Sequence, residues 1–255
     1  MKLIILQRPG QFTTKDFQSE LDKALRSVKG ELGGSIKLDG FTRKGWARLD
    51  LEGEDSDVLR ELVARDLGQA HTNAANLEAQ GIYQGIVSGE ADNSLEIDIG
   101  IETPRPMNVK IGLAALRAQL GDGQPLRSDE IIHQYCLVPG SRTTVRLTRL
   151  EPNTQTVEGW LADSQIERFS SLIATGLDRI QITDCFRQEV ENAVKKSRIE
   201  RDTVTIESET LITQSIVCKL GTDAVGLIPK LGKILRNRKL DPFIPRRILT
   251  RCRPW

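Results

Sequence analysis

Gly81-Ile82-Tyr83-Gln84-Gly85-Ile86-Val87 and Ser94-Leu95-Glu96-Ile97-Asp98-Ile99-Gly100, separated by Ser88-Gly89-Glu90-Ala91-Asp92-Asn93, decide how the rest of the chain is read. Apolar and polar residues alternate with period two between turn formers, the pattern of paired, half-buried strands. Gly81, Gly85 and Gly100 fall where a strand bends sharply or lets another backbone approach. Strongly curved strands of this kind open small closed barrels.

Further pieces follow in order: Val109 to Leu116, Val138-Pro139-Gly140, Val145-Arg146-Leu147 and Val157 to Leu161. Together with the opening pair they resemble the S1 type of OB-fold. That type reads as Gly-x-Val-x-x-Val, Val-Asp-Leu-Gly, a third strand ending in a helical turn, then two last strands. The match covers about a third of the chain, and order and spacing carry it. The resemblance implies an RNA-binding barrel, with one departure. The positions where S1 domains usually carry stacking aromatics and a histidine are here Asn93, Glu96 and Gly112. Stacking contributes roughly 1–3 kcal/mol per base, so ordinary S1 binding is expected to be weak or moved elsewhere. Residues 121–135 form an insertion with a short helix begun by Ser128-Asp129-Glu130, and Pro152-Asn153 marks the turn between the last two strands. Strand parity places Arg142 and Arg146 on one face and Arg149 on the other.

Before this region, Met1 to Gln7 reads as a strand; as a signal peptide it is too short and lacks a cleavage site. Thr13 caps a helix with Phe12 and Phe17 as a hydrophobic staple and Phe17, Leu21, Ala24, Leu25 and Val28 on one face. Ser35–Leu38 and Trp46–Leu51 read as strands, Ser56 as the cap of a second helix, and Asn73 to Gln80 as a last strand or a linker. After the barrel, Asp163-Ser164 caps a helix to about Ala174, and Asp178–Thr183 is a strand. Asp184 opens a helix. Thr203–Ile206 and Gln214–Lys219 are strands, Asp223 to about Asn237 is a helix, and Leu240–Ile244 is the last strand. Both flanks follow the strand-helix-strand-strand-helix order of ferredoxin-like units. The expected fold class is therefore α+β: an S1-like OB β-barrel (79–162) between two ferredoxin-like α/β-sandwich units (1–78, and 163–255 with a basic tail).

The 255 residues are 38% hydrophobic and 28% charged, with aromatics at 4%, so aliphatic side chains must build the cores. No run approaches the roughly 18 apolar residues that span a bilayer. Cys136, Cys185, Cys218 and Cys252 are widely spaced, and with only His71 and His133 beside them no zinc site is expected. Reduced thiols and a cytoplasmic setting follow. No phosphate loop, dinucleotide fingerprint or nucleophile elbow occurs, so no cofactor and no enzyme activity are expected. Gly176-Leu177-Asp178-Arg179-Ile180 and Val217 to Pro229, taken with the barrel core, resemble a family of uncharacterised archaeal proteins of the same three-part layout. That resemblance implies an archaeal, cytoplasmic protein and carries no catalytic residues.

The formal net charge of +1 hides an asymmetry: an acidic group at Glu52, Glu54, Asp55 and Asp57, and a basic end. Lys110, Arg142 and Arg146 on the barrel, with Arg236, Arg238, Lys239, Arg246, Arg247, Arg251 and Arg253, are the candidate phosphate contacts of an RNA or ribonucleoprotein partner. Phe243 and Trp255 are aromatics among them. The alternatives are a protein-interaction scaffold or an ACT-like small-ligand module. The latter would use Thr222, Asp223 and Gly226 at a helix start, where the Asp223 carboxylate would compete for the same N–H groups.

Overall fold

A computed structural model describes residues 1–151 and 156–251. The protein is a mixed α+β chain, and among the described residues no helix is long and apolar enough to cross a membrane.

The first unit contains β1 (Lys2–Ile4), α1 (Thr14–Lys29), β2 (Ser35–Phe41), β3 (Ala47–Glu52) and α2 (Ser56–Leu67). Its sheet has the order β1-β3-β2. Phe17, Leu21 and Leu25, spaced at i, i+4 and i+8, meet Leu59, Val63 and Leu67 of α2 and the alternate residues Ala47, Leu49 and Leu51 of β3 in one core. Thr13 caps α1 by accepting from the Asp16 N–H at 3.2 Å. The ring of Phe12 stacks on Phe186 of the last unit, 3.9 Å between centroids, in place of the expected staple. The N-cap of α2 is Asp55 rather than Ser56, and its carboxylate accepts from Gly33 N. Residues 73–80 form no strand; Ala74–Asn76 make a single 3₁₀ turn. The outer edge of β1 is covered instead by the chain just after α2, through an Ile5–Gln69 bridge and bonds from Leu6 N to Gly68 O and Ala70 N to Ile4 O.

Next come β4 (Ile82–Ala91), β5 (Ser94–Asp98), β6 (Val109–Gly112), α3 (Leu113–Leu120), α4 (Ser128–Gln134), β7 (Arg142–Glu151) and β8 (Thr156–Leu161). The five strands close on themselves in the order β4-β5-β6-β8-β7. All contacts are antiparallel except β6 with β8, which run parallel. The interior is aliphatic, including Val87, Leu95, Ile97, Val109, Ile111, Val145, Leu147 and Leu161. Closure is tight enough that a Cβ at Gly85 would lie 2.5 Å from Ile97 Cγ2. A bulge in β7 moves the register from Leu147↔Gly159 to Arg149↔Glu158. It adds one residue, so Arg149 joins the face of Arg146, contrary to the parity read from the sequence.

The last unit holds α5 (Asp163–Ala174), β9 (Arg179–Thr183), α6 (Arg187–Lys196), β10 (Thr203–Thr210), β11 (Thr213–Cys218), α7 (Ala224–Gly232), β12 (Lys239–Phe243) and α8 (Pro245–Arg251). The sheet order is β10-β11-β9-β12, antiparallel throughout. Ile180, Ile182, Ile216 and Cys218 pack with Val190, Val194, Leu227 and Leu231. The opposite face is buried as well, but it is polar: Gln181 Nε2 donates to Ser141 Oγ at 2.6 Å and Thr213 Oγ1 to Gly140 O at 2.9 Å. Asp184 does not open α6; it takes a left-handed turn (φ 57°), and the helix starts at Arg187 behind Phe186. Helix α7 stops at Gly232, short of Asn237, and carries Pro229 inside. Helix α8 was not anticipated; Pro245 at its first position suits a helix start, and Ile248 anchors it at 2% exposure.

Between the first unit and the ring lies a buried ion pair. Lys44 Nζ is 2.7 Å from Asp98 Oδ1, with side chains 16% and 4% exposed. Lys44 also reaches Asn108 Oδ1 at 3.2 Å, and Asp98 Oδ1 accepts from Gly100 N at 2.9 Å. Arg8 Nη1 stands 4.0 Å from Asp98 Oδ2, too far to replace the Lys44 bond, and removing one partner of a buried pair costs about 3–5 kcal/mol. Lys44→Met should lower the unfolding free energy by about that amount in urea titrations, and Lys44→Met combined with Asp98→Asn should recover part of it. A Lys44→Met loss below about 1 kcal/mol would contradict the assignment.

Candidate functional site

Three residues form a row across the outside of the ring. Ile82 lies opposite Arg146, and Arg146 opposite Trp160. Their neighbours Val145, Leu147 and Leu161 point inward and are buried, so the alternation turns this row outward. Ile82 and Trp160 are 55% and 54% exposed. Lys110 extends the surface from β6, where it pairs with Glu158 in parallel register. Two residues further along the same strands, Gly112 and Trp160 occupy corresponding places. Gly112 is one of the positions that lack the S1 side chains; the aromatic stands instead on the neighbouring strand.

The cations of this face are paired with carboxylates: Arg146 with exposed Asp163 at 2.6 Å, Arg149 with exposed Glu151 at 2.8 Å, and Lys110 with half-buried Glu96 at 3.8 Å. Exposed pairs of this kind contribute about 0–1 kcal/mol each, so exchanging a carboxylate for another anion costs little. A groove of about 710 Å³ lies between α3, α5 and α8. Its wall includes Gln119, whose amide bonds both N and O of Leu161, and it runs past Ile166 and Ile173 to Arg246 and Leu249.

The other expected contacts have different fates. Arg142 donates to Asp66 O and Arg65 O, both at 2.7 Å, and to Gln84 Oε1. It therefore clamps the carbonyl end of α2, where a cation complements the helix dipole. Burial, and then the like charge of Arg168, lower its pKa. Arg238 pairs with Glu189 at 3.0 Å and lies over the Phe12 ring. Arg236, Lys239, Arg246 and Arg247 are exposed and form no ion pair among the described residues. The Arg251 side chain and residues Cys252, Arg253 and Trp255, like the Pro152-Asn153 turn, lie outside the described part. At the helix start proposed for a small ligand, Asp223 accepts from Val225 N and Gly226 N, and Asp178 accepts from Ala224 N. Those three N–H groups are taken by carboxylates, and Thr222 N bonds Lys219 O.

The three described cysteines are free and buried. Burial first, then the Glu189 carboxylate, pushes the Cys185 thiol up to about 12. Burial and Asp178 push Cys218 up to about 11. Both are protonated packing groups at neutral pH. Burial lowers the His71 pKa, and His133 stands exposed 3.9 Å from Asp241. Trp160 was the residue passed over in the sequence, although its outward place in Val157-Glu158-Gly159-Trp160-Leu161 was readable from the alternation.

The DUF2110 C-terminal domain family matches residues 177–241, the span from before β9 into β12. No curated protein matches the chain.

Cys185 and Cys218 should stay unmodified by iodoacetamide at pH 8 while the urea-unfolded chain is alkylated, as read by peptide mass spectrometry. Because folding raises both thiol pKa values above the usual 9.0, their effect on stability is absent below about pH 9; as pH rises from there toward 11–12, the unfolded state ionises first and stability falls. Equal labelling of the native and unfolded chains would contradict this.

Proposed function

We propose that the protein binds single-stranded RNA on the outer face of the ring, with Trp160 as the stacking surface and Arg146, Arg149 and Lys110 as phosphate contacts. The carrying observation is a large aromatic, 54% exposed, directly across from an arginine whose ion-pair partner, Asp163, is 74% exposed. Aromatics between cations are what sequence-tolerant single-strand binding requires.

The fold reading supports this at one remove. We read the ring as an S1-like OB barrel. Its strand order is first-second-third-fifth-fourth, its third and fifth strands are parallel, and a helix follows the third. We read the last unit as ferredoxin-like from its β10-β11-β9-β12 order, and the first as the same unit with its fourth strand reduced to a single bridge. A fold hosts many functions, so the weight rests on the face and not on the barrel. With its described thiols held protonated, we read the protein as a binding component, of a ribonucleoprotein for example, rather than an enzyme.

Titration of the protein with single-stranded RNA at two salt concentrations tests the reading. Three phosphate contacts give a log–log salt slope of about −2. Trp160→Ala should weaken binding by about 5- to 150-fold, the equivalent of one lost stack. Arg146→Gln should flatten the slope. Binding that is absent, indifferent to salt, or unchanged by Trp160→Ala would overturn it.

A further inference from the structure

A second feature lies at the other end of β7 from the Trp160 row, where β7, α5 and β9 meet. A cavity of about 30 Å³ is lined there by Arg142, Arg168, Arg179 and Glu209, with Ser141 and Ser215 among its polar walls. Phe169, Leu172 and Phe243 close its apolar side. Arg179 is nine-tenths buried; its Nη1 meets Glu207 at 2.6 Å, but its Nε has no partner. Arg168 uses Nη2 on Glu209 at 2.6 Å. Arg142 uses its donors on neutral oxygens: two backbone carbonyls and the Gln84 amide.

The charge count decides what such a space can hold. Arg142, Arg168 and Arg179 have between them two ion-paired carboxylates, Glu209 on the cavity wall and Glu207 outside it, while Asp66, which also acts on Arg142, is matched by Arg65. One positive charge is left over in a partly desolvated setting. A water molecule would satisfy the Arg179 N–H but bring no counter-charge, and the cost of that falls mainly on Arg179 and Arg142, since Arg168 is 40% exposed. An anion answers both deficits. Size narrows the choice further, since a water needs roughly 10–15 Å³ of such volume, so at most about two water-sized centres fit. Phosphate, nucleotides and other large oxyanions are too big.

We propose that this cavity binds one chloride-sized monovalent anion, hydrogen-bonded by Arg179 Nε and by the free guanidinium edge of Arg168, with Arg142 contributing charge. The anion joins three elements from two units, the ring strand β7 on one side and α5 with β9 on the other. It thereby fastens the polar face of the last sheet to the ring.

The test compares thermal unfolding of the intact chain in sodium chloride and sodium gluconate at equal ionic strength. Chloride should raise Tm by roughly 2–4 °C, with saturation. Arg168→Gln, at a side chain 40% exposed and therefore tolerant of change, should abolish the difference by removing the surplus charge. Glu209→Gln should tighten chloride binding at least severalfold. Crystals soaked in bromide should show an anomalous peak within hydrogen-bond distance of Arg179 Nε. Equal Tm in the two salts would overturn the proposal. So would a chloride effect that persists undiminished in Arg168→Gln. A bromide peak without any solution effect would mark an adventitious ion only and would also overturn it.

Discussion

A carboxylate buried at the end of β5 cannot stand alone, and the arrangement of the first two units follows from how Asp98 is answered. Its Oδ1 holds the Gly100 N–H, which shapes the turn out of β5, and it takes the ammonium of Lys44 from the β2–β3 loop of the first unit. One oxygen therefore shapes the ring and docks its neighbour. Gly100 completes the joint: it has φ 103°, and a Cβ there would lie 2.8 Å from Ala70 Cβ. A side chain would be strained by the backbone and blocked by the first unit at once.

The contact between the ring and the last sheet is of another kind. Strands β9 and β11 are buried on both faces, yet the face toward the ring carries Arg179, Gln181, Thr183, Thr213 and Ser215. Specific bonds such as Gln181 to Ser141 and Thr213 to Gly140 give it orientation. Inter-domain interfaces tend to be polar in this way. Phe12 on Phe186, with Arg238 above Phe12, adds an aromatic contact between the first and last units.

These contacts sort residues that look alike in a list of cations. Arg142 belongs to the seam, held by carbonyls at the end of α2. Arg146, four residues on along the same strand, reaches the surface and the exposed carboxylate of Asp163. A guanidinium already forked onto two carbonyls and partly buried has lost the solvent access that a phosphate would need. One with a weak surface partner retains it.

Local chemistry alone determined much of the chain. Period-two alternation at 81–87 and 94–100, the 3.6-residue spacing of Phe17, Leu21 and Leu25, and glycine positions such as Gly85 placed the elements and their inward faces, because those signals come from neighbours in sequence. The competition of the Asp223 carboxylate for the N–H groups at its helix start was legible for the same reason. Only the tertiary structure decided that a bulge returns Arg149 to the face of Arg146, that Phe12 turns to Phe186, that the first sheet stops at three strands, and that the arginines divide between seam and surface. Each of those outcomes depends on a partner tens to hundreds of residues away or on one extra residue in a strand. Neither leaves a periodic trace, and the charge on a guanidinium is the same whether its neighbour is a helix end or open water.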